Sequence, residues 1–317
     1  GSREYMLNSE YGSGNARQLQ GTMQGAVKKM RYFAVGSYRT QDEYPLSNDY
    51  ETFSNQESLQ RENSDKNGWS GKVSLGWDVG ENGSAAINFS HVDQERGLPH
   101  HESDPRAKFW RFSDWRHGIL DFVFNNTIGR MSFKSKFYYE YLENVLQSYD
   151  DSTYTTQDGN KAFTDTLKDR GFGGDLFFRL TPGKAHLFKM ALRYKQDIHR
   201  QKSDLDEPWR KYRMNTLSLP LEGEWLPSKF FRFTYGASLD LMFFNTEEGG
   251  GGDSRTKNAF NPQAAALFDV SDSLTFRLTA SRKTRFPTLK ELFSTQSGNP
   301  ELQPMKANIL EGGFDYR

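Results

Sequence analysis

Phe231-Arg232-Phe233-Thr234-Tyr235-Gly236-Ala237-Ser238-Leu239-Asp240-Leu241-Met242-Phe243 decides the fold. Phe231, Phe233, Tyr235, Ala237, Leu239, Leu241 and Phe243 alternate with Arg232, Thr234, Gly236, Ser238 and Asp240. A period of two marks a strand with one oily face and one polar face; helical spacing would mix charge and aromatics on a single face. The pattern recurs along the chain. Phe188, Met190, Leu192 and Tyr194 oppose Lys189, Ala191, Arg193 and Lys195. Trp69, Val73, Leu75, Trp77 and Val79 oppose Ser70, Lys72, Ser74 and Asp78. Met131 to Tyr141 and Leu274 to Leu278 behave the same way. Ordinary strands run about 5–6 residues, whereas a tilted membrane strand needs about 9–11. Several of these runs reach the longer figure. Their second face carries Lys, Arg, Asp and Glu, which a β-sandwich core rejects unpaired and a watery or plugged lumen accepts. A propeller or solenoid would show a fixed repeat, and there is none. The expected fold is therefore all-β: a transmembrane antiparallel β-barrel, with about fourteen strands present, running from Arg3–Ser13 to Lys306–Arg317.

The punctuation between runs agrees. Turn-like joints fall at Lys28-Lys29, Gly80-Glu81-Asn82-Gly83, Asn125-Asn126, Thr181-Pro182-Gly183, Pro227-Ser228 and Ser271-Asp272-Ser273. Between them lie polar stretches near 44–66, 95–108, 148–165, 200–210, 246–258 and 284–305, with Gly249 to Gly252 a flexible tip. Short joints on one side and long loops on the other are the build of outer-membrane barrels, turns periplasmic and loops extracellular.

Composition excludes several classes. The chain has 41 basic and 41 acidic side chains, so no charge excess points to nucleic acid. A mean hydropathy of −0.82 reads as soluble, but alternation cancels apolar against polar residues in any window and hides a barrel. No run approaches the ~20 apolar residues of a spanning helix. Cysteine is absent, which removes disulfides, thiolate nucleophiles and Cys-ligated zinc. There is no nucleophile elbow, metal-spaced His pair or phosphate loop, and His117 and His199 sit within strand patterns without an evident partner. No enzyme is expected.

The most specific stretch is Ala280-Ser-Arg-Lys-Thr-Arg285-Phe286-Pro287-Thr-Leu-Lys-Glu291-Leu-Phe293, then Gly298-Asn299-Pro300-Glu-Leu-Gln-Pro304, then Glu311-Gly-Gly-Phe-Asp-Tyr316. It resembles the barrel signature of TonB-dependent receptors: an Arg-aromatic-Pro-Thr-Leu-x-Glu-Leu box, a Gly-Asn-Pro-x-Leu-x-Pro box and a Glu-x-Gly strand. The opening strands look like those of cobalamin and colicin I receptors. Met305 stands where the family usually has Glu, and Lys283-Thr284-Arg285-Phe286 replaces the commoner Phe-Arg-Ala.

The resemblance implies a bacterial outer-membrane receptor that takes up a scarce solute such as a ferric siderophore or cobalamin. Its partners are membrane lipid, the small-molecule metal chelate or vitamin, and the TonB complex acting through a plug. It implies twenty-two strands and a plug domain preceding Arg3, so residues 1–317 are expected to be barrel wall alone. The remaining wall then lies elsewhere, or the fourteen strands close on themselves, or the stretch is an excerpt, because open edges do not survive in hydrocarbon. The competing function is a passive porin or channel of about fourteen strands. Pro287, Pro300 and Pro304 fix φ and remove donors, and Gly298-Asn299 is a turn dipeptide, so both boxes shape a loop. The sharper reading has Arg285 in the lumen contacting ligand or plug, with Phe286 and Glu291 beside it. Haem receptors of the family place a His between the boxes, and Thr288 to Ser297 has none.

His100-His101, with Glu102 and Asp104, could hold a metal or chelate, or could be solvated loop residues. Acidic runs at Asp42-Glu43, Asp150-Asp151 with Asp158, and Asp204, Asp206 with Glu207 could gather calcium, as cobalamin receptors do in their loops, although none has calcium-loop spacing. Trp110, Trp115, Tyr138, Trp209, Tyr212 and Trp225 fit interfacial girdles. Lys189, Arg193, Lys195, Arg232 and Arg277 form an interior that a plug could pair with.

Overall fold

The computed structural model describes residues 3–248, 254–293 and 298–316; Gly249 to Gly252 lie outside them. The strands are β1 (Arg3–Gly12), β2 (Ala16–Val27), β3 (Met30–Gln41), β4 (Lys66–Val79) and β5 (Gly83–Leu98). They continue with β6 (Phe109–Ile128), β7 (Met131–Tyr149), β8 (Phe163–Leu180), β9 (His186–Lys202) and β10 (Arg210–Ser228). The last are β11 (Phe231–Glu248), β12 (Ser254–Ser271), β13 (Leu274–Arg285) and β14 (Met305–Tyr316), with a single helical turn α1 (Leu289–Phe293) before β14. All fourteen strands form one sheet in sequence order, each antiparallel to the next. Among the described residues the barrel is not closed: β1 pairs with β2 alone and β14 with β13 alone.

The joints fall on one end, as expected, with two corrections. Pro227 and Ser228 close β10, and the turn there comes at Lys229-Phe230. Asn125 and Asn126 lie inside β6, paired to Lys134 and Phe133, and the turn comes at Gly129-Arg130. Gly129 has φ 57°, a left-handed value that Gly adopts without a Cβ clash, and a tight hairpin requires it.

Register carries the oily face from strand to strand. Phe231 pairs with Phe268, Phe268 with Phe276 and Phe276 with Phe314. Higher up, Leu219 pairs with Leu239 and Leu239 with Phe260. Phe231 and Leu219 are half-buried by their neighbours and the rest are exposed, Leu239 at 56% and Phe260 at 53%, so the row faces lipid rather than a protein core. From Phe231 to Phe243 the outward band spans about 41 Å of strand at ~3.4 Å per residue, or about 29 Å at a ~45° tilt. That matches the hydrocarbon thickness. Above it the same face turns charged: Arg116 pairs with Asp114 at 2.6 Å and Glu143 at 3.3 Å, and Glu143 also meets Arg170. Strands of up to 20 residues thus continue well beyond the outer membrane surface. Tyr138 and Tyr212 leave the predicted girdle. Tyr138 lies beside Lys195 on the polar face, and Tyr212 is covered at 7% exposure. Trp225 and Tyr235 do face outward, at 41% and 40%.

Replacing Leu239 by Arg, near mid-band, should cost about 2–4 kcal/mol in refolding into vesicles, whereas Gln263→Arg on the opposite face should cost under about 1 kcal/mol. Equal costs at the two positions would contradict the face assignment.

Candidate functional site

The polar face neutralises itself. Lys189 meets Glu222 at 2.7 Å, Lys195 meets Asp197 at 2.8 Å, and Arg193 meets Asp175 at 3.6 Å. Arg232 meets Glu224 and Arg277 meets Asp315, both at 3.3 Å. All five predicted interior cations therefore have a carboxylate on the same wall. Asp240 accepts from Ser218, from Ser238 at 2.7 Å and from Asn261 at 2.7 Å, and Asn261 in turn accepts from Thr284 at 2.7 Å.

Alternation fails near the outer end of β11, where Leu241-Met242-Phe243-Phe244 is apolar on both faces. Met242 and Phe244 lie on the polar side, at 0% and 1% exposure, because the loop between β13 and β14 folds back over them. Leu292 of α1 is fully buried against them, with Met214, Phe286 and Phe293 packed around. Phe293 stacks on Tyr212 at 4.5 Å and 16°, and meets Phe244 edge-on at 5.6 Å. The Arg-aromatic-Pro box thus builds an inward latch. Thr288 and Glu291 form a capping box. The Thr288 backbone N–H and hydroxyl donate to Glu291 Oε2 at 2.8 and 3.0 Å, and the Glu291 N–H donates to the Thr288 hydroxyl at 3.3 Å.

Arg285 Nη2 donates to Glu291 Oε1 at 2.6 Å. The Arg285 guanidinium first, then the Thr288 donors, hold the Glu291 carboxyl down at about 2. Pro287 is buried. The second box closes onto the first: the Asn299 N–H donates to the Glu291 carbonyl at 2.8 Å, and the Asn299 side chain accepts from the Glu301 N–H at 2.9 Å. Arg255 on β12 reaches the Pro300 carbonyl at 3.5 Å and Glu301 at 2.6 Å. The structure brings Arg285, Phe286, Pro287, Glu291, Asn299 and Pro300 into one unit, with Gly298 partly buried at its return.

Between latch and wall lies a cavity of about 760 Å³. Asp165, Asp169, Lys195, Asp197 and His199 line it from β8 and β9, and Phe293 and Lys290 from the latch. His199 has a partner that sequence alone did not reveal: its Nδ1 lies 2.7 Å from Asp169 Oδ1, and its Nε2 is 3.4 Å from Gln201 Oε1. The ring continues the stack onto Tyr212 at 6.1 Å. The His199–Asp169 pair, engaged by Gln201 on its far side, is a positioned polar wall.

The histidines of the β5–β6 loop part company. His101 is exposed. His100 is only 3% exposed, not solvated, and ties three loops together. Its Nε2 meets the Asn55 carbonyl, which fixes the proton there, so Nδ1 accepts from the Tyr154 hydroxyl at 2.8 Å. Neither ring nitrogen is left for a metal. Burial pushes the Tyr154 phenol well above its usual range. Asn63, 1% exposed, adds donations to the Leu98 and Trp110 carbonyls at 2.8 and 2.7 Å and accepts from Arg111 at 2.8 Å. Arg111 also grips Asp65 at 2.8 and 2.7 Å. The Asp150 oxygens accept the Asp158 and Gly159 N–H groups, both at 2.9 Å, which holds that carboxyl low and turns the acidic run into a loop closure. Among the described residues no three His, Asp or Glu groups gather as a metal site.

A charged, self-paired polar face, an oily opposite face and an inward latch make this the wall of an outer-membrane barrel. The sequence matches the family described as "TonB dependent receptor-like, beta-barrel" over residues 36–317. The chain belongs to that family, whose members are bacterial outer-membrane proteins. No curated protein sequence matches it. Among solved structures it is similar to the copper transporter OprC, with TM-score 0.75 and 17% identity over 100% of this chain and 51% of that one. It is similar to the FrpB iron transporter from Neisseria meningitidis, with TM-score 0.76 and 14% identity over 100% and 52%. The ferric citrate transporter FecA gives TM-score 0.68 and 13% identity over 98% and 48%. The chain spans about half the length of these receptors, and at such identities the likeness is one of fold. Family membership favours a receptor wall over the passive channel.

Asn63→Ala strands three polar partners, so it should cost about 1–3 kcal/mol and speed proteolytic nicking of residues 42–65. Unchanged nicking would mean that the loops are held by other contacts. Glu291 is depressed from 4.5 to about 2. Its contribution to the latch is therefore complete above the ordinary carboxylate range and is lost as pH falls toward about 2. Protection of the amides across 286–293, corrected for the intrinsic pH dependence of exchange, should fall progressively as pH drops from the ordinary carboxylate range toward about 2, and Glu291→Gln should remove that fall.

Proposed function

We propose that this chain is the ligand-receiving wall of a TonB-dependent importer whose cargo is a metal chelate, a ferric siderophore above all. The observation that carries the reading is the cavity of about 760 Å³ closed by the signature latch, because it joins the family's motif to a lumenal space of ligand size. Its walls combine carboxylates, Lys195 and His199 with the Phe293 ring, a set able to orient a polar chelate with an aromatic rim. Copper and iron transport in the named OprC and FrpB relatives supports a metal cargo over cobalamin. In this account a plug domain receives energy through TonB, and the latch is the wall's share in retaining ligand at the outer mouth. The protein is a transporter and receptor, not an enzyme.

Uptake of radiolabelled iron by a knockout strain complemented with the full-length protein tests this. Uptake should need the protein under iron limitation and stop when an uncoupler collapses the inner-membrane gradient. Leu292→Ala should loosen the latch by about 2–5 kcal/mol and lower uptake about tenfold, while the barrel still inserts. Iron uptake that ignores the uncoupler would favour a passive channel. Restoration of cobalamin uptake instead would overturn the cargo.

A further inference from the structure

The lipid-facing surface carries a groove of about 490 Å³ near its periplasmic end, crossing β7 to β11. Two register rows make it. In the lower row Leu180 pairs with Phe188, Phe188 with Gly223 and Gly223 with Tyr235. In the upper row Phe178 pairs with Met190, Met190 with Leu221 and Leu221 with Ala237. Gly223 has no side chain, and the Tyr235 ring lies across its position, where a Cβ would collide with it. Ala237 leaves the next place on the floor shallow. Phe178, Phe188 and Met190 stand as a wall on the other side.

Directly below this groove lie three turns: Gly129-Arg130 before Met131, residues 181–185 between Leu180 and His186, and Lys229-Phe230 between β10 and β11. Each carries one cation, Arg130, Lys184 and Lys229, all exposed. None of the three turns contains a carboxylate. The Arg130 guanidinium donates to the Pro182 carbonyl, which fixes its charge over the adjoining turn. Acidic turn residues occur elsewhere on this rim, at Glu81 and Asp272, but not under the groove.

We infer that this groove and the turns beneath it bind one anionic glycerophospholipid of the periplasmic leaflet. An acyl chain lies between Phe188 and Tyr235, and the head group is met by Arg130, Lys184 and Lys229. An apolar slot with cations placed at head-group depth matches such a lipid in both its parts. A zwitterionic lipid fits the slot but not the charge.

Native mass spectrometry of the full-length protein in mild detergent tests this, with equimolar phosphatidylglycerol and phosphatidylethanolamine of identical chains as probes. The unaltered protein should retain one phosphatidylglycerol, preferred by about tenfold. The triple variant Arg130→Gln, Lys184→Gln, Lys229→Gln should keep lipid but lose the preference. Ala237→Trp should fill the floor and cut retention of both lipids, with heat-modifiable gel mobility confirming a folded barrel. Equal retention of both lipids by the unaltered protein would overturn the inference, as would full preference in the triple variant. The turn substitutions are exposed, so they decide the matter even if Ala237→Trp does not fold.

Discussion

A backbone polar group in hydrocarbon has no water to turn to, and each unmade hydrogen bond there costs several kcal/mol. Everything in this chain follows from satisfying that demand with strands. Fourteen segments in sequence order bond to their neighbours, so no long crossover is needed and every connection is a local hairpin. Once the ladder is set, side chains can only alternate, and each strand presents lipid with one half of its residues and the lumen with the other. The low mean hydropathy and the aromatic content of 15% are two consequences of this single arrangement.

The lumenal half faces a second demand. Charges facing an enclosed, partly watery space are best neutralised locally, and the pairs Lys189–Glu222, Lys195–Asp197 and Arg193–Asp175 do so within the wall. A wall neutral in itself leaves its recognition to places where the pattern is deliberately broken. The principal break is at Met242 and Phe244, where apolar residues turn inward and the Arg285–Glu291 latch settles on them. The signature motif therefore has a mechanical meaning: its Pro and capping residues shape a turn whose Leu292 and Phe293 seat on the lumenal wall beside the cavity.

Much of this was legible from residue order, because period-two alternation is a property of single strands. The strand count, the sidedness of turns and loops, and the lipid face all came from runs such as Phe231 to Phe243. Asn125-Asn126 misled because an Asn pair is a turn signal by composition, whereas the left-handed position at Gly129 sets the hairpin. The latch helix was foreshadowed by Thr288-x-x-Glu291, and its seat by four consecutive apolar residues from Leu241. The contacts of His100 with Asn55 and Tyr154, and of His199 with Asp169, join residues far apart in the chain, and no local pattern encodes them.

The central claim is that neighbouring residues of one strand meet different solvents. Cysteine is absent, so single cysteines can be placed along β11 from Arg232 to Asp240 without background. Fluorophores attached to each, in vesicles with brominated acyl chains, should be quenched at Phe233, Tyr235, Ala237 and Leu239. At Arg232, Thr234, Ser238 and Asp240 they should instead yield to a water-soluble quencher. Quenching that varies smoothly with depth, with no period of two, would contradict the account.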